Sequence, residues 1–458
     1  MERREFLAVS VPVIAGASVT LARSEPSSGP GPLLSSPPVV QHPTEEGFTV
    51  AWQVRGPATG WVTWGTRADR LDRVAHPGGP GLLDVADLFL TARVDGVPAG
   101  AREIYYQVHA RPIAYQNAYS IDRGPVESGP VRRLRLPSGE QPTIKLAVVN
   151  DTHENEETLA ALAGRIDHHQ PDALLWNGDT CNDFYDDARL GAIVLGPGAA
   201  PGHPEQGGWA STRPLLFVPG NHDVRGPRAR RLPEALAPWP VDVDPRATAA
   251  AGGAPWCFVR RLGPLALVGL DTGEDKPDER PVFAGLAGFE PWREAQRDWL
   301  NEALRREAVA SAPHLLACCH IPLRGLPGHD DGQGTEGYAR RFANLPLERD
   351  QVALLPLNWT LVHPIDENSP IYNMGRKELV ALKAEFIILI AGYDDTYAQQ
   401  VQTNSSYTAE EIVCNALFEG MYFSEDGHNV LELDRINAHQ KLPPPGAAAS
   451  KKVKKKEG

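Results

Sequence analysis

Four short polar strings carry the residue types that could do chemistry in this chain. They are Asn150-Asp151-Thr152-His153, Asn177-Gly178-Asp179-Thr180, Pro219-Gly220-Asn221-His222-Asp223 and Cys319-His320-Ile321-Pro322. Together they offer carboxylate, amide and imidazole donors, a mixed oxygen and nitrogen set that suits Fe, Mn or Zn. A lone Gly-Asp is an ordinary turn, and a lone Asn-His is an ordinary polar pair. What makes the set specific is that each string directly follows an apolar run.

Those runs are the elements that must position the donors. Ile144–Val149, Ala173–Trp176, Pro214–Val218, Leu265–Leu270 and His314–Cys318 read as buried strands. Helical stretches, Glu157–His168 and Glu290–Glu307, separate some of them. The alternation predicts a central α/β sandwich. Ligands of such folds bind beyond the carboxyl ends of the strands, so distant segments would deliver their donors to one rim. Upstream, Phe48–Val54, Gly60–Gly65 and Ile104–His109 alternate apolar and polar residues, which predicts an N-terminal β-sandwich. That region has no cluster of His, Asp or Cys and is expected to play no catalytic part.

The four strings in this order resemble the calcineurin-like metallophosphoesterases, with their D-x-H, GD, GNH[DE] and H series. A β-sandwich ahead of such a domain further resembles the purple-acid-phosphatase arrangement. The resemblance implies two divalent or trivalent metal ions (Fe, Mn or Zn). Asp151 and His153 would bind the first, Asp179 would bridge both, and Asn221 and His320 would bind the second. His222 would stand outside the ligand set as the catalytic group that protonates the leaving oxygen, with Asp223 orienting it. The implied reaction is hydrolysis of a phosphoric ester, in which the ions activate water and clamp the phosphoryl oxygens.

Two departures qualify the resemblance. The purple enzymes carry a Tyr three residues after the bridging Asp; here Asn182 stands there, so no coloured iron–phenolate bond is expected and Asn182 is instead a candidate substrate contact. The family's last motif, GHxH, would give each metal one more ligand, yet no HxH occurs in the chain. Gly328-His329-Asp330 is the nearest string, and His168 and His169 are neighbours on a helix. The loss implies weakened metal binding and an impaired activity.

Past Tyr338 the character changes. Trp359-Thr-Leu-Val-His-Pro-Ile-Asp366 and Ser406-Tyr-Thr-Ala-Glu-Glu-Ile412 resemble the cytoplasmic domain of bacterial inward-rectifier potassium channels, over about Glu336 to Lys441. That domain is an immunoglobulin-like β-sandwich that tetramerises, and only its later part is represented. No apolar stretch of about 20 residues follows the N-terminal run, so a pore is excluded. The join, within Thr335–Phe342, reads as a fusion of two incomplete genes.

The resulting plan is multidomain: a leader over 1–22, a linker over 23–38 and a fibronectin-like β-sandwich over 39–138. A metallophosphoesterase domain lacking its last motif follows over 142–338, then a partial channel domain over 340–441 and a Lys-rich tail over 442–458. Arg3-Arg4 before an apolar run resembles a twin-arginine signal and implies a periplasmic or secreted bacterial protein. A channel's cytoplasmic domain conflicts with that location.

The remaining composition sets limits. The net charge of −13 over 458 residues argues against nucleic-acid partners. Five cysteines, two of them adjacent, form no disulfide framework and are expected to pack as small apolar groups. The leading reading is therefore a two-metal phosphoesterase acting on a small phosphoester. The alternative is an inactive fusion or binding protein whose C-terminal sandwich mediates oligomerisation or channel association.

Overall fold

The computed structural model describes residues 31–236 and 256–320, apart from 79–80, 139–140, 151, 155, 201, 275–277, 290, 293–294, 297–298, 300–302, 304 and 313. Beyond these it describes four strand backbones, at 352–356, 387–391, 417–424 and 434–437. The leader, Asp151, His329, Asp330 and the Lys-rich tail lie outside the described residues, as does part of the predicted helix Glu290–Glu307.

Nine strands form the N-terminal region: β1 (Val39–Thr44), β2 (Gly47–Gln53), β3 (Ala58–Gly65), β4 (Arg73–Ala75), β5 (Phe89–Asp95), β6 (Glu103–Asn117), β7 (Ser120–Arg123), β8 (Glu127–Ser128) and β9 (Arg132–Arg135). β3 alternates buried and half-buried residues along its length, the signature of a strand with one face inward. β1, β2 and β5 pair on one side, and β3, β4, β6 and β9 on the other. Both layers close over one apolar cluster that includes Phe48, Trp52, Trp64 and Tyr106. Burying aromatics of this size contributes about 2–3 kcal/mol each. The Tyr106 hydroxyl, which burial would otherwise leave stranded, donates to the carbonyl of Ser211 at 2.7 Å.

The central region begins with β10 (Thr143–Val149), α1 (Glu156–His169), β11 (Ala173–Asn177), α2 (Asp187–Leu195) and β12 (Leu215–Val218). β10, β11 and β12 run parallel in continuous register. All five residues of β11 are buried, as a strand covered on both faces requires. The Asp186 side chain caps α2 by accepting the Arg189 N–H at 2.7 Å. A second sheet holds β13 (Phe258–Leu262), β14 (Leu265–Gly269) and β15 (His314–Cys319), with β14 and β15 parallel. Ile144, Leu146, Val148 and Leu175 of the first sheet meet Phe258, Leu265, Leu267 and Leu316 of the second in one cluster. The outer face of the first sheet, through Val149, Leu174 and Trp176, packs on Leu162 and Ile166 of α1 and on Leu190 and Val194 of α2. This is the α/β arrangement that the alternating pattern predicts.

Two features depart from the expected plan. The N-terminal strands are not separate from the centre: β1 lies parallel to β12, with Gln41 opposite Leu215, so β1, β2 and β5 extend the first sheet. Likewise, the segment expected to form its own C-terminal sandwich supplies β16 (Val352–Pro356), β17 (Ile387–Ala391), β18 (Leu417–Ser424) and β19 (Asp434–Asn437) to the two central sheets. β18 pairs antiparallel with β10, and β17 pairs parallel with β15. In each place an edge of unpaired N–H and C=O groups finds a partner, a requirement that hydropathy patterning does not encode.

Among the described residues no helix is long and apolar enough to cross a membrane. Cys181, Cys257, Cys318 and Cys319 are buried and form no disulfide, as packing thiols do. Burial pushes the Cys181, Cys257 and Cys318 thiols up.

Candidate metal centre

The carboxyl ends of β10, β11, β12 and β15 converge on Asp179. Its Oδ2 lies 3.3 Å from Nε2 of His320 and 3.7 Å from Nε2 of His153. Its Oδ1 accepts the backbone N–H of His222 at 2.9 Å. Donor atoms of His153, Asp179 and His222 all lie within 4.8 Å of one another. The rings of His153 and His222 meet edge to face, with centroids 4.9 Å apart.

The backbone is bent to reach this geometry. His153, Glu154 and Asp179 have φ of 43°, 56° and 51°, values that non-glycine residues seldom adopt. Each such residue costs on the order of 1–3 kcal/mol, and such strain collects at functional sites. Gly178, at φ 88°, could not be replaced without cost, because a Cβ there would strike Nδ1 of His320 and the backbone N of Gly220.

A second layer orients the donors. Nδ1 of His320 lies 2.8 Å from the carbonyl of Asn177. A carbonyl only accepts, so Nδ1 carries a proton, and Nε2 is the ring nitrogen that faces Asp179. The side-chain amide of Asn177 donates to the carbonyl of Cys319 at 3.0 Å, tying the first sheet to the second. Asp223 accepts from Thr180 N at 3.0 Å, Thr180 Oγ1 at 2.5 Å and Gly220 N at 2.8 Å. These bonds hold the Gly178–Thr180 turn against the Gly220–Asp223 turn.

Electrostatics separates the two carboxylates. Burial acts to raise Asp179, but the positive charge of His320, His222 and His153 in their protonated forms, with a hydrogen bond from His320, outweighs it and holds the carboxyl well below the usual range. Asp223 is pushed up to about 6, by burial first and by the charge of Asp179 second.

The residues present fit a metal. Asn221 is fully buried, and neither its Oδ1 nor its Nδ2 has a hydrogen-bond partner among the described residues. An orphaned buried amide is costly unless a ligand takes it up. With the carboxylate of Asp179 and the imidazoles of His153, His222 and His320 that gather on it, Asn221 makes up a donor set for Zn, Mn or Fe. Asp151, the remaining expected ligand, lies outside the described residues.

Each described candidate has a definite place. His153, Asp179, His222 and His320 come together. Asn221 is buried next to them in sequence. Asp223 braces the turns. Asn182 meets His222 through its carbonyl, 3.0 Å from Nδ1, while its side-chain amide donates to Glu154 Oε1 at 3.3 Å. Sequence reasoning missed Arg225, whose Nη1 lies 2.9 Å from Nε2 of His222, and Glu274, which pairs with Arg225. Glu274 follows an apolar strand just as the other donors do, and that signal could have found it.

Residues 144–355 match the calcineurin-like phosphoesterase family, and residues 333–457 match the inward rectifier potassium channel C-terminal domain. The matches overlap over 333–355, around the expected join. Inward rectifier potassium channel Kirbac3.1 of Paramagnetospirillum magnetotacticum is 33% identical over 99 residues, 21% of this chain and 34% of the relative. Inward rectifier potassium channel 4 of Homo sapiens is 36% identical over 77 residues, 17% of each chain. The chain thus spans about a third or less of the length of these relatives. Among solved structures, one titled "Structure of PhoD" is similar at a TM-score of 0.41 and 12% identity, covering 71% of this chain and 73% of that one. "GAP50 the anchor in the inner membrane complex of Plasmodium" is similar at a TM-score of 0.32 and 10% identity, covering 66% and 90%.

Proposed function

From a calcineurin-like phosphoesterase segment joined to a channel-type segment, we propose that the first is a metal-dependent hydrolase of phosphoric esters. The observation that carries this reading is the gathering of His153, His222 and His320 around the buried carboxylate of Asp179, together with the buried, unpartnered amide of Asn221, next in the chain to His222. His153 and Asp179 would hold one ion, with Asp151, and Asp179, Asn221 and His320 the other. When bound, such ions supply Lewis acidity toward a phosphoryl oxygen and a nucleophile at neutral pH.

The chain's own residues do the rest. Asp179 brings the two halves of the donor set to one carboxylate. Nδ1 of His222 lies 3.0 Å from the Asn182 carbonyl, which fixes the ring at the border of the cluster. From there His222 can serve the leaving oxygen of an ester, the role of a general acid. Asp223 keeps Asn221 and His222 in register through the Gly220 N–H. The buried positions of Asn177, Asn221 and His320 limit water at the floor of the site.

The test is direct. Purified chain should carry close to two ions and cleave p-nitrophenyl phosphate; a chain that binds no metal and cleaves no ester is not this enzyme.

A second reading rests on a different observation, the channel-type match at 33% identity over 99 residues together with the missing HxH. On that reading the chain is an inactive fusion that self-associates or associates with a channel through its C-terminal segment. Size-exclusion chromatography with light scattering separates the two when set beside the metal count. If the leader acts as the twin-arginine signal it resembles, either product would lie outside the inner membrane, and fractionation of expressing cells checks it.

A further inference from the structure

Arg225 and Glu274 form an ion pair that the metal reading leaves without a task. Arg225 lies three residues beyond His222, past the end of β12. Glu274 follows β14, in the other sheet, and is fully buried. The carboxylate takes Nε and Nη2 of Arg225, both at 2.9 Å, in a side-on fork. The remaining nitrogen, Nη1, lies 3.0 Å from Nδ1 and 2.9 Å from Nε2 of His222. The guanidinium is therefore fixed at the border of the donor cluster, and its side chain is 23% exposed.

A cation at that point works against metal binding, because like charges repel most strongly where water is scarce. Glu274 faces the opposite edge of the guanidinium and serves as its anchor. What the placement does favour is an anion lying between the guanidinium and the metal donors. Arg suits this task better than Lys, since its planar fork matches tetrahedral oxyanions and loses little freedom once anchored.

We propose that Arg225, held by Glu274, receives a non-bridging oxygen of the substrate's phosphoryl group. The subsite accepts a tetrahedral phosphate-type oxyanion, which takes the Nη1 N–H now turned to His222. The inference rests on the phosphoesterase reading and deepens it.

The experiment uses the full metal-loaded chain and two readouts: calorimetric binding of inorganic phosphate, and KM and kcat for p-nitrophenyl phosphate. Three forms are compared with wild type: Arg225→Lys, Arg225→Met, and the double variant Arg225→Met with Glu274→Gln. The double variant removes the pair without leaving a buried charge alone, so it remains informative if Arg225→Met does not fold. The expected result in both Met forms is unchanged metal content, with phosphate affinity down and KM up by at least about tenfold, the loss carried by a charge-assisted hydrogen bond. Arg225→Lys should fall between them and wild type. Unchanged phosphate affinity and KM in the double variant would overturn the proposal. So would loss of metal together with phosphate binding, since Arg225 would then be bracing the metal site. A wild-type chain without metal or activity refutes the phosphoesterase reading itself, a distinct outcome.

Discussion

The two rims of the site are built unequally. The first sheet, through the turns after β10, β11 and β12, contributes His153, Asp179, Asn221 and His222, with three strained backbones and the Asp223 brace. The second sheet contributes His320 after β15, and Glu274, which reaches the cluster only through Arg225. The absent HxH motif would have followed β15 and enriched this second rim. The contrast teaches that geometric strain and second-layer bonding accumulate where donors are dense. On the proposed metal reading, the second rim is where further ligands would be added.

The largest expected effect comes from Asp179→Ala. That carboxylate touches His153, His222 and His320, so its loss dissolves both rims at once. Activity on p-nitrophenyl phosphate should fall on the order of 10,000-fold, with metal content near zero by mass spectrometry of the purified protein. Unchanged turnover would exclude the site.

His320→Ala tests the inequality itself. With one described donor on the second rim, its removal should strip one ion and leave the other, giving about one metal per chain and activity down on the order of a thousandfold. If both ions leave, the rims are not independent and the comparison fails.

Much of the first rim was legible in the sequence, and less of the second. His153, Asp179, Asn221, His222 and His320 could be named because each follows an apolar run, and a parallel strand ends where its polar residues begin. Glu274 carries the same strand-end signal, but its pairing with Arg225 escaped because an ion pair spanning 49 residues and two sheets leaves no local pattern. The pairing of β1 with β12 was invisible for the same reason. The strands after residue 340 were assigned to their own sandwich, since their motifs resemble those of another family. Yet β17 and β18 pair with β15 and β10, as free sheet edges demand. Local patterning reports which residues form strands; it does not report which edge each strand will meet.

Asp223→Ala sharpens the picture of the first rim. It removes the acceptor of three hydrogen bonds, from Thr180 N, Thr180 Oγ1 and Gly220 N. Two backbone donors are left buried and unpaired, so stability should drop by about 2–3 kcal/mol in urea denaturation. Metal affinity should weaken about 10–100-fold, the usual effect of losing a group that orients ligands. A loss of stability with affinity unchanged would show that the brace supports the fold alone.

The smallest effect is expected at Asn177, whose side chain ties the first rim to the second through a backbone carbonyl. Its amide donates to the Cys319 carbonyl across the two sheets, while its own carbonyl holds Nδ1 of His320. Substitution to Ala keeps the backbone carbonyl and hence the orientation of the imidazole; only the cross-sheet bond is lost. The Cys319 carbonyl would be left buried, at a cost of about 1–2 kcal/mol. Because the apolar cluster of Leu146, Val148, Leu267 and Leu316 holds the sheets together independently, the rims should shift little and metal content should stay at the wild-type level. Activity down by only a fewfold, beside a measurable drop in melting temperature, would place rim alignment in the core packing. A collapse as large as that of His320→Ala would instead make the Asn177 tether the element that aligns the second rim with the first.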